Sequence, residues 1–167
     1  MISLRACQNT KKDALTAFRW RNDAETVAAS YCPEPRSWDA FFMEYTECYF
    51  CCELLTPVFV LFQKQPAGFI RFEPVSLEEF PEKRVAEIMI NIAPGFRHRG
   101  VGTRAVELIK KIMKERAIDG LTADIRKENK VSQRLFEKTN FVFLSERTET
   151  VPKIQKNCHI LRYYCAL

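Results

Sequence analysis

Hydrophobic and polar positions change period sharply near the middle of the chain. Val85, Ala86, Glu87, Ile88, Met89, Ile90, Asn91 and Ile92 read as a β-strand that Pro94-Gly95 ends by removing a ladder donor and allowing unusual dihedrals. Alternation places Glu87, Met89 and Asn91 on one face and Ile88, Ile90 and Ile92 on the other. Beyond the proline the spacing becomes helical. Val101, Ala105, Leu108, Ile109 and Ile112 fall on one side, with Glu107, Lys110, Lys111, Lys114 and Glu115 opposite, so a helix begins near Gly100 to Gly102.

The same reading gives a first strand at Ile2–Ala6, a helix at 13–20 and a second helix at 37–46 that Ser37 can cap, with Pro33 and Pro35 between the helices. Val58–Phe62 and 67–72 are strands joined through Gln63-Lys64-Gln65-Pro66 as a hairpin, and 74–83 is a polar loop. Residues 121–126 form another strand, and 141–148 with 156–165 close the chain as a last hairpin. No repeat, low-complexity tract or long linker interrupts this order, so residues 1–167 read as a single α/β domain. Its sheet is mixed, antiparallel in its first half, with about seven strands flanked by helices.

Between the central strand and the long helix lies Arg97-His98-Arg99-Gly100-Val101-Gly102-Thr103. The first amides of a helix have no intrahelical partner and carry the positive end of its dipole; glycines let an anion approach the backbone. The turn therefore reads as a seat for a pyrophosphate or as an ordinary connection with solvated arginines. It is neither a Gly-x-Gly-x-x-Gly dinucleotide fingerprint nor a Walker loop.

The order Arg-x-x-Gly-x-Gly resembles the acetyl-CoA signature of the GNAT superfamily of N-acetyltransferases. A second segment supports the resemblance: after the 121–126 strand come Asn129, Ser132, Phe136, Lys138, Asn140 and Phe141, similar to the superfamily's next helix and its exit. Asn140 stands where glycine is usual, and asparagine also visits the left-handed region at a helix end. Phe136 stands where many members carry a tyrosine that protonates the departing thiolate. The resemblance spans roughly residues 58–148 and implies the GNAT fold with a splayed central strand pair. It also implies acetyl-CoA as cosubstrate, contacted by Arg97, His98, Arg99, Gly100, Val101, Gly102, Thr103, Asn129, Ser132 and Phe136. Asn129 reads equally as a helix N-cap.

Composition narrows the partners. The net charge of +5 is dispersed over 26 basic and 21 acidic residues rather than blocked, which does not suggest nucleic acid. No apolar stretch approaches the ~20 residues a membrane span needs, and no signal-peptide core is visible, so a cytoplasmic protein is expected. Seven cysteines, an odd number, read as reduced and mostly buried. Cys48-x-x-Cys51 has zinc spacing but no second ligand pair follows, and no metal is expected. The expected partner is a small-molecule amine, with a homodimer left open.

Acetyl transfer needs a neutral amine, support for the oxyanion and management of the leaving thiolate. By resemblance, the oxyanion support falls to the backbone of Ile90, Asn91 and Ile92, where the central strand is expected to bulge and splay. Glu87, a carboxylate in an otherwise apolar strand, is either the base, its pKa raised by burial, or an exposed or Arg84- or Arg71-paired structural residue. Tyr163 and Tyr164 are candidates for the acid that Phe136 cannot be. Phe18-Arg19-Trp20-Arg21-Asn22-Asp23 resembles a segment of two GNAT branches, one acting on nucleotide-linked amino sugars and one on protein N-termini. Trp20 and Arg21 either recognise a sugar nucleotide or pin a helix to the core. A nucleotide-linked amino sugar or other small amine is the expected acceptor, ahead of a protein N-terminus. A non-catalytic acyl-CoA-binding module is the competing class.

Overall fold

The alternating segments pair into one sheet in the computed structural model, which describes residues 1–31, 33–151 and 156–167. Among the described residues its strands are β1 (Ile2–Ala6), β2 (Val58–Phe62), β3 (Gln65–Val75), β4 (Val85–Ile92), β5 (Gly120–Arg126), β6 (Val142–Val151) and β7 (Lys156–Ala166), in the order β1-β2-β3-β4-β5-β7-β6. Only β4 and β5 run parallel; the other neighbours are antiparallel. The closing hairpin thus folds back so that its second strand, not its first, lies against β5.

Helices α1 (Lys11–Arg21), α2 (Ala24–Ala29), α3 (Trp38–Cys48), α4 (Val101–Glu115) and α5 (Lys130–Lys138) cover the two faces. Thr10, Asp23, Ser37 and Asn129 cap α1, α2, α3 and α5 by accepting a hydrogen bond from the amide three residues on. Six-residue α2 is absent from the periodicity of the sequence because it is too short to show a period. The turn between β2 and β3 is tighter than expected: Gln63 and Lys64 both have positive φ, as a two-residue hairpin requires, so β3 already begins at Gln65.

One core lies between the sheet and α4, where Val60, Ile70, Ile88, Val106, Ile109 and Leu121 are buried. A second is aromatic and lies under α1 and α3, built on Phe41, Tyr45, Tyr49, Phe59 and Phe69, and a small third joins Leu77, Val85 and Tyr164. Trp20 packs edge-on to Phe59, with ring centroids 5.7 Å apart, so it pins α1 to the sheet. Helix α5 ends as the chemistry of Asn140 suggests. With Asn140 at φ 65°, its amide bonds the Glu137 carbonyl and that of Phe141 the Phe136 carbonyl, while the two phenylalanine rings meet at 4.9 Å.

Candidate active site

Strands β4 and β5 pair only over Val85–Gly120, Ala86–Leu121 and Glu87–Thr122. Beyond these residues β5 stays with β7 along its whole length while β4 stays with β3 to Ile92, so the two diverge. The expected bulge in β4 is not there: its register with β3 is unbroken, and the splay comes from β5 turning away with β7. The gap opens a cleft of about 1350 Å³, walled by Glu87, Met89, Ile90, Asn91 and Ile92 on one side and Ala123, Asp124, Ile125 and Arg126 on the other.

Two helix N-termini converge on this cleft. Gly100 is the N-cap of α4 at φ 72°, in the left-handed region that excludes most side chains, and it offers no side-chain cap. The first amides of α4, at Val101, Gly102 and Thr103, are therefore available to an anion, and the Val101 side chain is buried so that only its backbone can meet one. Asn129 and Ser132 bring the start of α5 to the same wall, the Ser132 amide donating to Asn129 Oδ1 at 3.1 Å. Capping and contact with a ligand are therefore compatible roles for Asn129. Phe136, 3% exposed, reaches the wall from the next turn of the helix.

The basic residues of the turn part company. His98 lines the cleft with φ 58°, a strained setting for a non-glycine residue. Arg99 does not line it; the side chain is exposed and its guanidinium lies over the Phe96 ring at 6.0 Å. The guanidinium of Arg97 pairs with Asp23 and Glu25 near the start of α2.

Glu87 is neither exposed nor bound to Arg84. It stands opposite Glu73 on β3, its side chain is 17% exposed, and Arg162 Nη2 lies 4.0 Å from its carboxylate. Burial first, then the charges of Asp124 and Glu73, push its carboxyl from the ordinary value of 4.5 up to about 7; Arg162 and Arg71 oppose this. The flanking cations are held by other acids. Arg162 forks onto Asp124 with two bonds of 2.7 Å, and Arg147 joins at 2.6 Å. On the other side Arg71 pairs with Glu73 and lies 3.6 Å from Glu44, its guanidinium over the Tyr49 ring. Burial disfavours ionised Asp124, but its two arginines hold it below the usual carboxylate value. The result is one half-buried carboxyl, its pKa pushed up to about 7, between two satisfied ion-pair networks.

Asp124, Arg162 and Arg147 do not stand out as site residues in the sequence, and Arg71, expected there as a possible partner of Glu87, pairs with Glu73 instead. The signal that exposes Glu87, a charge in an apolar strand, is nevertheless present at Asp124 within Leu121-Thr122-Ala123-Asp124-Ile125. Neither candidate tyrosine reaches the cleft. The Tyr163 hydroxyl donates to Glu137 at 3.1 Å, and Tyr164 is buried against Phe80, Leu77 and Val85. Among the described residues, the tyrosines on the cleft wall are Tyr31 and Tyr49. Cys7, Cys158 and Cys165 are buried as expected, whereas Cys48, the last residue of α3, and Cys51, just beyond the helix, are exposed. Among the described residues no three His, Cys, Asp or Glu side chains gather as metal ligands, and no helix is long and apolar enough to cross a membrane.

A mixed sheet splayed at its parallel pair, with a helix start free of any side-chain cap at the opening, is the arrangement that the GNAT resemblance implies. Residues 15–141 match the acetyltransferase (GNAT) family, and the chain belongs to that family. Solved structures of the same fold include a candidate phosphinothricin N-acetyltransferase, 23% identical with a TM-score of 0.80, covering 100% of this chain and 99% of that one. Another is an aminoglycoside acetyltransferase in complex with coenzyme A, 17% identical with a TM-score of 0.75, covering 99% and 95%. A ribosomal-protein-alanine N-acetyltransferase from Brucella melitensis is 19% identical with a TM-score of 0.76, covering 99% of each chain. A comparison with curated proteins finds no match.

Proposed function

We propose that this protein transfers an acetyl group from acetyl-CoA to the primary amine of a small molecule by direct attack. The observation that carries the reading is the meeting, in one cleft, of the α4 start, the unpaired edge of β4 and a carboxyl poised near pH 7. The α4 amides of Val101, Gly102 and Thr103 would hold the pyrophosphate. Glu87 takes a proton from the acceptor ammonium, directly or through water. The neutral nitrogen then attacks the thioester carbonyl carbon, and the backbone at Ile90, Asn91 and Ile92 stabilises the oxygen that becomes negative. As the carbon–nitrogen bond forms and the carbon–sulfur bond breaks, CoA leaves as thiolate, and the second proton that the nitrogen loses on becoming an amide passes to that thiolate, directly or through water. An alkyl thiol of pKa about 8.5 departs with little help, so phenylalanine at 136 does not preclude turnover.

The acceptor side points to a small amine without a nucleotide. Trp20, the ring that could have stacked on a base, packs against Phe59 and is absent from the cleft wall, whereas Arg21 lines it. The aminoglycoside acetyltransferase of the same fold has also been solved with kanamycin. Free thiol released from acetyl-CoA, followed across amino acids, amino sugars, aminoglycosides and short peptides, tests the reading. Stoichiometric amide and thiol with a small amine is expected. Acetyl-CoA binding without thiol release across the panel would make the chain a binding module, and release with peptides alone would make the acceptor a protein N-terminus.

A further inference from the structure

The signature puts Arg97 where a cation would meet the cofactor's phosphates, yet four of its five N–H donors are engaged by the protein. Nε donates to the Ile92 carbonyl at 3.1 Å, Nη1 to Glu25 at 2.5 Å, and Nη2 to Thr26 Oγ1 at 2.9 Å and to Asp23. Its side chain is 15% exposed. Asp23 also caps α2, accepting from the amide and hydroxyl of Thr26. Burial disfavours its charge, but the bonds from Arg97 and Thr26 prevail and hold it below the usual carboxylate value. The far end of α2 is fastened too. Arg126 donates to the carbonyls of Ala28 and Ser30 at 3.1 and 3.4 Å, and Asn129 Nδ2 to that of Ala29 at 3.3 Å.

Arg97 lies five residues beyond the end of β4, and Arg126 ends β5. Helix α2 is therefore strapped across the open ends of the two strands that splay, and Glu25, Thr26, Ala28 and Ala29 form part of the cleft wall. Residues of both cofactor signatures hold the strap, one at each end. We propose that Arg97 is a positioning residue: it latches α2 over the cleft and neutralises Asp23 and Glu25 beside the phosphate seat, without itself binding phosphate. This rests on the acetyl-CoA reading. Without Arg97, two carboxylates would face an anionic ligand, and the α2 wall would lose its anchor at the cofactor turn.

A phosphate ligand and a latch differ in how Arg97→Ala responds to its acidic partners. Calorimetry with coenzyme A on Arg97→Ala, on Asp23→Asn/Glu25→Gln and on the triple variant forms a double-mutant cycle, in which asparagine preserves the α2 cap. The latch predicts a loss of about 10-fold in affinity for Arg97→Ala alone and less than about 2-fold in the neutralised background. An equal loss in both backgrounds makes Arg97 a phosphate ligand and overturns the proposal. Arg97→Lys keeps the charge but not the fork, so it should retain coenzyme A affinity while raising KM for the amine about 5-fold with kcat little changed. A native KM in that variant also overturns the latch. Amide hydrogen exchange supplies a readout independent of ligand: Arg97→Ala should lose protection over Ala24–Ala29 while α4 keeps its own, and unchanged protection refutes the proposal. If the native chain binds coenzyme A but acetylates no amine, the functional reading fails while the cycle and exchange still decide the latch. If it binds no coenzyme A, exchange alone decides it.

Discussion

Glu87→Gln keeps the shape of the side chain and removes both its charge and its ability to accept a proton. In the native protein the carboxyl is pushed from 4.5 up to about 7, chiefly by burial and then by Asp124 and Glu73. A rise of that size corresponds to about 3 kcal/mol between the two protonation states. The native state binds this proton more tightly than the unfolded chain does. Its stabilising contribution is therefore complete below about 4.5 and is lost as the pH rises through about 7. Glutamine imitates the neutral form at every pH. The variant should unfold at a denaturant midpoint close to that of the native chain at pH 5 and gain on it by about 2 kcal/mol by pH 8. Activity should move the other way, with kcat/KM reduced by about 10²-fold and the acidic limb near pH 7 abolished. Denaturant unfolding at the two pH values and a kcat/KM profile on the same preparations measure both. A stability difference that ignores pH would mean Glu87 does not titrate in this range. Near-normal turnover with the acidic limb intact would remove it as the base, leaving water or backbone carbonyls to take the amine's proton.

Asp124→Asn leaves Arg162 and Arg147 without their buried carboxylate, so unfolding experiments should show a loss of about 3 kcal/mol. The same change removes a repulsion from Glu87 and frees Arg162 beside it, so the acidic limb of the rate profile should move below pH 7; a limb that stays in place would refute the coupling. Gly102→Ala places a Cβ 3.4 Å from Leu135, which the fold accommodates within about 1 kcal/mol, yet calorimetry should find coenzyme A affinity about 10-fold weaker because the new methyl meets the ligand. Gly100→Ala has open space around it but φ 72°, and thermal melts should register about 1–2 kcal/mol of backbone strain. Tyr163→Phe removes only the bond to Glu137: turnover should stay within about 2-fold and stability fall by about 1 kcal/mol, whereas a collapse of kcat would restore this tyrosine as the acid.

Much of the fold is written in local patterns along the chain. Val58–Phe62 and Val85–Ile92 are strands with the bounds that their alternation and flanking residues indicate, and Ser37, Asn129 and Asn140 occupy the helix-end positions their chemistry favours, because alternation, capping and left-handed helix exits are decided within a few residues. The basic glycine turn and the anomalous Glu87 are legible for the same reason: each departs from the pattern of its own segment. Tertiary structure decides what those residues face. Arg97 has the sequence of a phosphate-seat cation, but Asp23 and Glu25, more than 70 residues earlier, occupy it. Tyr163 lies on the face of β7 opposite cleft-lining Arg162, Tyr164 shares the Arg162 face but lies further along the strand against Phe80, and the splay arises where β5 departs with β7 while β4 continues with β3, rather than from a bulge in β4. Ion pairs and strand partnerships are set between segments distant in sequence, where no local period carries a signal, so the elements can be read along the chain while the wiring of the cleft requires the fold.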